Sequence, residues 1–318
     1  MTGYTIRRAL WVIPVLWAVA TITFFLMHAV PGGPFTEDKS RPPAAEAAIE
    51  QRYHLKDPLW KQYELYLWNA SHGDLGISFQ NDRDVSQIIR DTFFVTAQLG
   101  VLAFLLAVIV GLTLGTLSAL NHNGPLDYIS VGFATIGASV PNFILGSFLV
   151  VFLAVGAGWF GTIGWGGPHS VSAAFNPSHY HWRNMVLPIV SIAALPASYI
   201  ARVTRASVLE VLNQDYIRTA RAKGLGEYSV VLRHTIKNAM IPVLTVMGPI
   251  AAVLVSGSFI IETMFGIPGF GRESITAVVR RDYATIMGAT LFYTLIVTMA
   301  NLFVDLAYAV VDPRIRYR

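Results

Sequence analysis

Apolar and polar positions alternate along this chain in blocks rather than residue by residue. Ala9 to Val30 runs 22 residues without a charge, enough helix to cross a hydrocarbon core roughly 30 Å thick at about 1.5 Å per residue. Phe93–Leu120, Tyr128–Gly156, Asn184–Ala201, Asn238–Ile261 and Tyr283–Tyr308 repeat the pattern. Pro141 predicts a kink in the third of these six runs, because proline removes a helical N–H. Arg7 and Arg8 precede the first run, as in a signal peptide, but a cleaved signal has an apolar core of about 7–15 residues. We therefore read it as a first transmembrane helix. The expected fold is all-α, a polytopic membrane protein with six spans and both termini on one side.

Residues 31–92 leave the membrane between spans one and two, with charges of both signs. Asp57 and Pro58 predict a helix start, and Leu59, Tyr63, Leu67 and Ala70 follow at helical spacing. Asp84 with Gln87 resembles a capping box opening a helix that continues into span two. Three segments result: 1–30 with the amino terminus and first span, an extracytoplasmic subdomain over 31–92, and a core over 93–318 containing a polar loop at 205–238.

Composition agrees with the pattern. The chain is 54% hydrophobic and 13% charged, about half the charged share of a soluble domain, and its mean hydropathy is +0.52. The net charge of +4 is not a nucleic-acid footprint, since the basic residues are scattered over loops without a groove of interleaved aromatics. It reads as topology. The amino terminus carries 2 Lys or Arg, the loop after span two none, the polar region between spans four and five, counted from Arg202, 7 and the tail 3, against 1 and 3 in the short opposite loops. The remaining 7 lie in the long segment 31–92, which can cross largely regardless of charge. Both termini and the polar loop are thus expected in the cytoplasm. There is no cysteine, which removes disulfides, thiol catalysis and cysteine-ligated metals.

No G-x-x-x-x-G-K-[ST] phosphate loop occurs in the chain. Gly266-Ile-Pro-Gly-Phe-Gly271 lacks dinucleotide spacing and is read as an outer loop or gate. His169, His179 and His181 offer a His-x-His pair without the further ligands a metal site needs, so a structural loop is favoured. Charges avoid the span centres; Glu262 falls at the outer end of span five and Asp305 toward the inner end of span six, which argues against a proton-coupled carrier. Ser139, Asn142, Ser198, Thr245, Ser256 and Asn301 either line a pathway or bond between helices. An intramembrane enzyme would rely on His28, the histidine inside a span; no catalytic residue and no cofactor are expected.

The polar loop organises the rest. From Asn213 to Pro242 the chain reads NQDYIRTARAKGLGEYSVVLRHTIKNAMIP. Asp215 is placed to cap a helix from Tyr216 to Lys223, Gly224 supplies a left-handed end, and Glu227 starts a second short helix with Tyr228, Val231, Leu232 and Thr235 on one face. Ala220 and Ala222 leave room for a partner, and Arg218 and Arg221 share a face able to meet its acids. Spacing alone leaves two readings open, an ordinary positive-inside loop and a docking surface.

The segment resembles the cytoplasmic loop of permease subunits of ATP-binding-cassette importers, whose pattern is Glu-Ala-Ala, three residues, Gly, nine residues, Ile-x-Leu-Pro. Here the register falls on Arg218-Thr219-Ala220, Gly224 and His234-Thr235-Ile236-Lys237. Ala220 and Gly224 match; Arg218 stands for the glutamate and Lys237 for the proline, as in the dipeptide and oligopeptide branch. PGGPFTEDKSRPP, RYHLKDP, SHGDLGISF, ETMFGIPGFGR, RRDY and DPRIRY extend that resemblance over nearly the whole chain, toward the B-type permeases of oligopeptide importers. The resemblance implies a type I importer permease fold in a bacterial inner membrane. It implies a second related permease, ATPase subunits and an extracytoplasmic substrate-binding protein as partners, besides membrane lipid. It also implies that Asp215, Arg218, Thr219, Ala220, Arg221, Ala222, Lys223, Gly224 and Leu225 couple the chain to an ATPase. A dipeptide or nickel permease and an ATP-independent secondary carrier are the alternatives.

Overall fold

The computed structural model describes residues 7, 10–30, 57–169 and 180–311, with side chains described as far as 303. The motifs at 31–43 and 312–317, most of 52–58, His179 and the side chain of Asp305 fall outside that set. The described helices are α1 (Val12–Ala29), α2 (Leu59–Ser71), α3 (Val85–Leu120), α4 (Pro125–Ser139), α5 (Asn142–Leu149), α6 (Trp182–Leu212), α7 (Asp215–Ala222), α8 (Glu227–Ser229), α9 (Lys237–Ser256), α10 (Phe259–Met264), α11 (Phe270–Val279) and α12 (Tyr283–Val311). π-helical turns follow α5 at Val150–Gly156 and join α8 to α9 at Val230–Ile236. Among the described residues the extended structure is one isolated bridge, Ile77 with Asp84, so the all-α expectation holds.

Five helical stretches are long and apolar enough to cross a membrane, and a sixth exists if α4 and α5 are taken as one span bent by 107°. That bend is the kink expected at Pro141 in the run from Tyr128 to Gly156, and it is sharp enough to split the run into two limbs. Pro141 has no N–H to continue α4, and the residue before it is driven out of the helical region; Val140 accordingly takes ψ 121°. Each limb is 15 residues long, about 22 Å, too short to cross alone. α3 opens at Val85 right after Asp84, as expected, and runs on into span two, while the helix of span four continues past Ala201 to Leu212, because Arg and Glu are good helix formers and Val208 keeps a buried face.

The bundle is built on the α3–α6 pair, with α9 packed across both, α4 along α6, and α12 joining α1 to the rest. Every fourth position of α3 is buried: Leu99, Ala103, Ala107, Gly111, Gly115 and Ala119. A Cβ on Gly111 would lie 2.7 Å from Ile200 Cβ, and one on Gly115 would lie 2.5 Å from the Ala201 carbonyl oxygen. In lipid no hydrophobic force drives helices together, so backbones that approach this closely gain their cohesion from van der Waals contact along small residues. Around the pair, apolar side chains such as Ile109, Phe152 and Phe303 stand exposed, available to lipid or to other membrane helices.

Buried carboxylates pin two of the connections between the helices. Asp282 is 2% exposed; it accepts from Ser78 Oγ, from Phe79 N at 3.2 Å, and from Thr285 N and Oγ1 at 3.3 and 2.8 Å. One side chain thus caps α12 and fastens the SHGDLGISF turn to the RRDY motif. α2 lies against α1, with Tyr63 and Tyr66 on Phe24 and a 2.6 Å Thr21–Tyr63 hydroxyl contact. Its contact face is therefore aromatic, and Leu59, expected on that face, is exposed.

The glycine-rich stretch is explained by Glu262, which is fully buried rather than simply at a span end. α9 breaks at Gly257, where φ is +100°, and α10 turns Glu262 toward Thr96 on α3. Thr96 Oγ1 donates to Glu262 Oε1 at 3.0 Å and Arg272 N donates to Oε2 at 3.0 Å; Ser258 and Gly271 amides add to the cradle. Thr96 Oγ1 also accepts from Phe270 N at 2.8 Å. A Cβ on Gly269 would sit 2.4 Å from Glu262 Oε2, so the loop needs glycine to close over a carboxylate.

Candidate coupling surface

α6 ends at Leu212 and, after Asn213 and Gln214, the chain turns directly into α7. Gln214 occupies the N-cap without a side-chain cap bond. Asp215, expected as the cap, is the first helical residue instead, where its charge still suits the positive end of the helix dipole. The helix closes as expected at Gly224, whose φ is +81°, a conformation a Cβ would disfavour. Leu225 N donates to Ala220 O at 3.3 Å and Gly224 N donates to Arg221 O at 2.9 Å. This bond pair is a Schellman ending, which satisfies the last carbonyls.

The expected residues divide into two groups. Ile217 and Ala220 are buried against Val230, with Val211 packed alongside. Ala220 therefore seats α7 on its own chain and leaves no gap for a partner, contrary to the reading from its small size. Asp215, Arg218, Thr219, Arg221, Ala222, Lys223, Gly224 and Leu225 are exposed on the opposite side. Arg218 approaches Asp215 at 3.5 Å, and Thr219 Oγ1 bonds Asp215 O at 2.9 Å. Arg221 donates through Nε and Nη2 to both oxygens of Glu227, at 3.1 and 2.6 Å. These bonds hold its guanidinium pKa above the ordinary value and brace α7 to α8.

The second short helix is not separate. α8 passes through the π turn Val230–Ile236 into α9 without a break. A π turn brings residues five apart together, so Val230 and Thr235 share the buried side and Thr235 Oγ1 bonds Val230 O at 3.1 Å. Tyr228 and Leu232, expected on that face, are exposed. The candidate surface thus sits between the ends of two long helices.

A polar cluster that the sequence pattern does not single out lies just above. Arg205 on α6 grips Asp127 on α4 with Nε and Nη2, each at 2.8 Å. Arg205 Nε also reaches Ser118 Oγ on α3 at 3.0 Å, Ser118 Oγ donates to Asp127 Oδ1, and Asn123 N donates to Asp127 Oδ2 at 2.9 Å. The Asp127 carboxylate is almost wholly buried. Its sequence signal is an acid in the first turn of a span, facing an arginine left over in a polar loop.

Comparison with known proteins decides the family. Residues 111–317 match the model of the binding-protein-dependent transport system inner membrane component, and residues 1–100 match the model of its N-terminal part. The chain belongs to this family. It is 39% identical over 318 residues, all of both chains, to the oligopeptide transport system permease protein OppB of Haemophilus influenzae, and 40% identical over the same full span to OppB of Escherichia coli K12. The dipeptide transport system permease protein DppB of Bacillus subtilis is 41% identical over 317 residues, 99% of this chain and 98% of that one. Among solved structures, the MetNI methionine ABC transporter matches with a TM-score of 0.56 at 19% identity, covering 71% of this chain and 97% of that chain. An amino acid ABC transporter matches at 0.53 and 15%, covering 70% and 94%. These structures share the fold.

In this inner membrane component, a cavity of about 410 Å³ opens beside the Glu262 cradle, lined in part by Asn142, Ser256, Ser258, Gly271, Thr290 and Tyr293. Of the polar residues considered for a pathway, Asn142 and Ser256 reach it. Ser198 and Thr245 bond carbonyls one turn back in their own helices, at 2.8 and 3.0 Å. His28 contacts Phe24 O at 2.8 Å and stacks on Phe24, the setting of a packed aromatic side chain. His169 and His181 are exposed, and no group of three metal-ligating side chains occurs among the described residues.

Proposed function

We propose that this chain is the permease subunit of an ATP-driven importer of oligopeptides, and that α7 with its Gly224 turn docks on an ATPase subunit. The observation that carries the reading is the exposed basic face of α7, set rigidly at the end of a 31-residue helix and braced against the foot of α9. Closure of two ATPase subunits pushes α7, and the push reaches the membrane helices directly. A second related permease completes the pathway, and an extracytoplasmic binding protein delivers the peptide. The termini and the 205–238 loop face the cytoplasm, in line with the distribution of Lys and Arg. Arg218 replaces a glutamate of the wider family pattern, so the groove that receives α7 offers an acidic counterpart. The relatives named for oligopeptide and dipeptide transport support a peptide cargo of either length; the binding protein sets the choice.

The decisive variant is Gly224→Val in the assembled transporter. A Cβ at Gly224 meets nothing within 4 Å, so the cost is backbone strain of about 1 kcal/mol with no clash. The complex should form at wild-type levels while peptide-stimulated ATP hydrolysis and uptake fall several-fold. Unchanged hydrolysis and uptake would count against docking through this turn, as would labelling of a cysteine placed at 224 from outside intact cells.

A further inference from the structure

The α3–α6 seam is close but nondirectional. Gly111 and Gly115 touch α6 through van der Waals contacts alone, and such surfaces permit helices to slide along one another. At the cytoplasmic end the bonding changes character. Asp127 accepts from Arg205 on α6, Ser118 on α3 and the Asn123 amide of the connecting turn, while itself standing in the first turn of α4. One carboxylate therefore joins three helices and a turn. Arg205 lies two turns before the end of α6, the helix that leads into α7.

We infer that the Arg205–Asp127 pair is a positioning clamp which makes α3, α4 and α6 move as one body when α7 is pushed. A bidentate guanidinium–carboxylate pair fixes direction as well as distance. The Asp127 carboxylate is 5% exposed and the Arg205 side chain 28%, so the pair is largely shielded from salt. The Ser118 and Asn123 bonds prevent Asp127 from following Arg205 by a change of rotamer. Motion of α6 is thereby imposed on α4 at its cytoplasmic end, and α4 carries it to the 107° bend before Pro141. Without the clamp, α6 slips against α3 and α4 while α7 still seats on the ATPase. Hydrolysis continues and transport lapses.

This inference rests on the coupling reading above, and its test separates the two. Arg205→Ala, Arg205→Lys, Asp127→Asn and the exchange Arg205→Asp with Asp127→Arg are made in the full complex with its ATPase and binding protein, reconstituted in liposomes. Peptide imported per ATP hydrolysed is the readout, normalised to assembled complex. Arg205→Ala and Asp127→Asn should lower that ratio roughly tenfold, within the range of coupling energies found along such networks, with peptide-stimulated hydrolysis retained. Arg205→Lys keeps the charge but not the fork, and should give an intermediate ratio; it also serves as the reading variant if Arg205→Ala fails to assemble. The exchange should recover part of the loss. A ratio that stays at the wild-type value in both Arg205→Lys and Asp127→Asn overturns the clamp, and so does a loss of uptake that merely tracks a loss of hydrolysis. Failure of the coupling reading has a different signature, in which Gly224→Val leaves hydrolysis and uptake untouched.

Discussion

Replacing Glu262 with alanine tests whether the GIPGFGR loop is folded by the carboxylate beneath it. Four donors converge on Glu262: the Thr96 hydroxyl and the Arg272 amide at 3.0 Å each, and the Ser258 and Gly271 amides. A buried donor left unsatisfied costs about 1–3 kcal/mol. Losses within one cluster do not add fully, because the remaining groups relax together. We therefore expect about 4 kcal/mol for Glu262→Ala. At roughly 2–4 °C per kcal/mol for a domain of this general size, the thermal midpoint in detergent should fall by about 10 °C. Glu262→Gln keeps the volume and one acceptor oxygen, but turns an NH2 toward an amide N–H, so about half the loss is expected. The midpoint is read as the fraction of protein remaining monodisperse after heating. An alanine variant within about 2 °C of the parent, or a glutamine variant as damaged as alanine, would refute the cradle as the organiser of this loop.

Two further outcomes follow from the packing. Gly115→Leu forces a side chain into the space where even a Cβ lies 2.5 Å from Ala201 O; it should prevent accumulation of folded protein in membranes, whereas Gly115→Ala should cost about 1–3 kcal/mol and lower the midpoint measurably. Asp282→Ala frees the Ser78 and Phe79 donors and uncaps α12, a local loss of about 2–3 kcal/mol; limited proteolysis should then cut between 72 and 84 faster than in the parent, with the transmembrane core intact.

The legible features are those a short stretch of chain decides. The six apolar blocks, the Asp84 start of α3, the Pro141 break and the Gly224 ending each depend on hydropathy or backbone chemistry within a few residues. The stripe of small residues on α3 is present in the sequence at a spacing of four, but it carries meaning only as a face, and single small residues do not announce one. Ala220 misleads for the same reason: its size is plain from the sequence, the side of α7 it occupies is not.

By itself the sequence determined the all-α membrane class, the basic character of individual connections and the place of the Gly224 turn, since burial in lipid and backbone strain act on local residue types. Tertiary structure alone decided the clasps. Ser78 and Asp282 stand 204 residues apart, Thr96 and Glu262 166, Asp127 and Arg205 78. Nothing in the neighbourhood of any one of these carboxylates names its partner, because a buried charge is satisfied by whatever donor the packed helices bring within about 3 Å. Packing also turned α7 so that Ala220 faces inward and the basic residues outward. The same glycines that read as an outer loop or gate leave the space a buried glutamate requires.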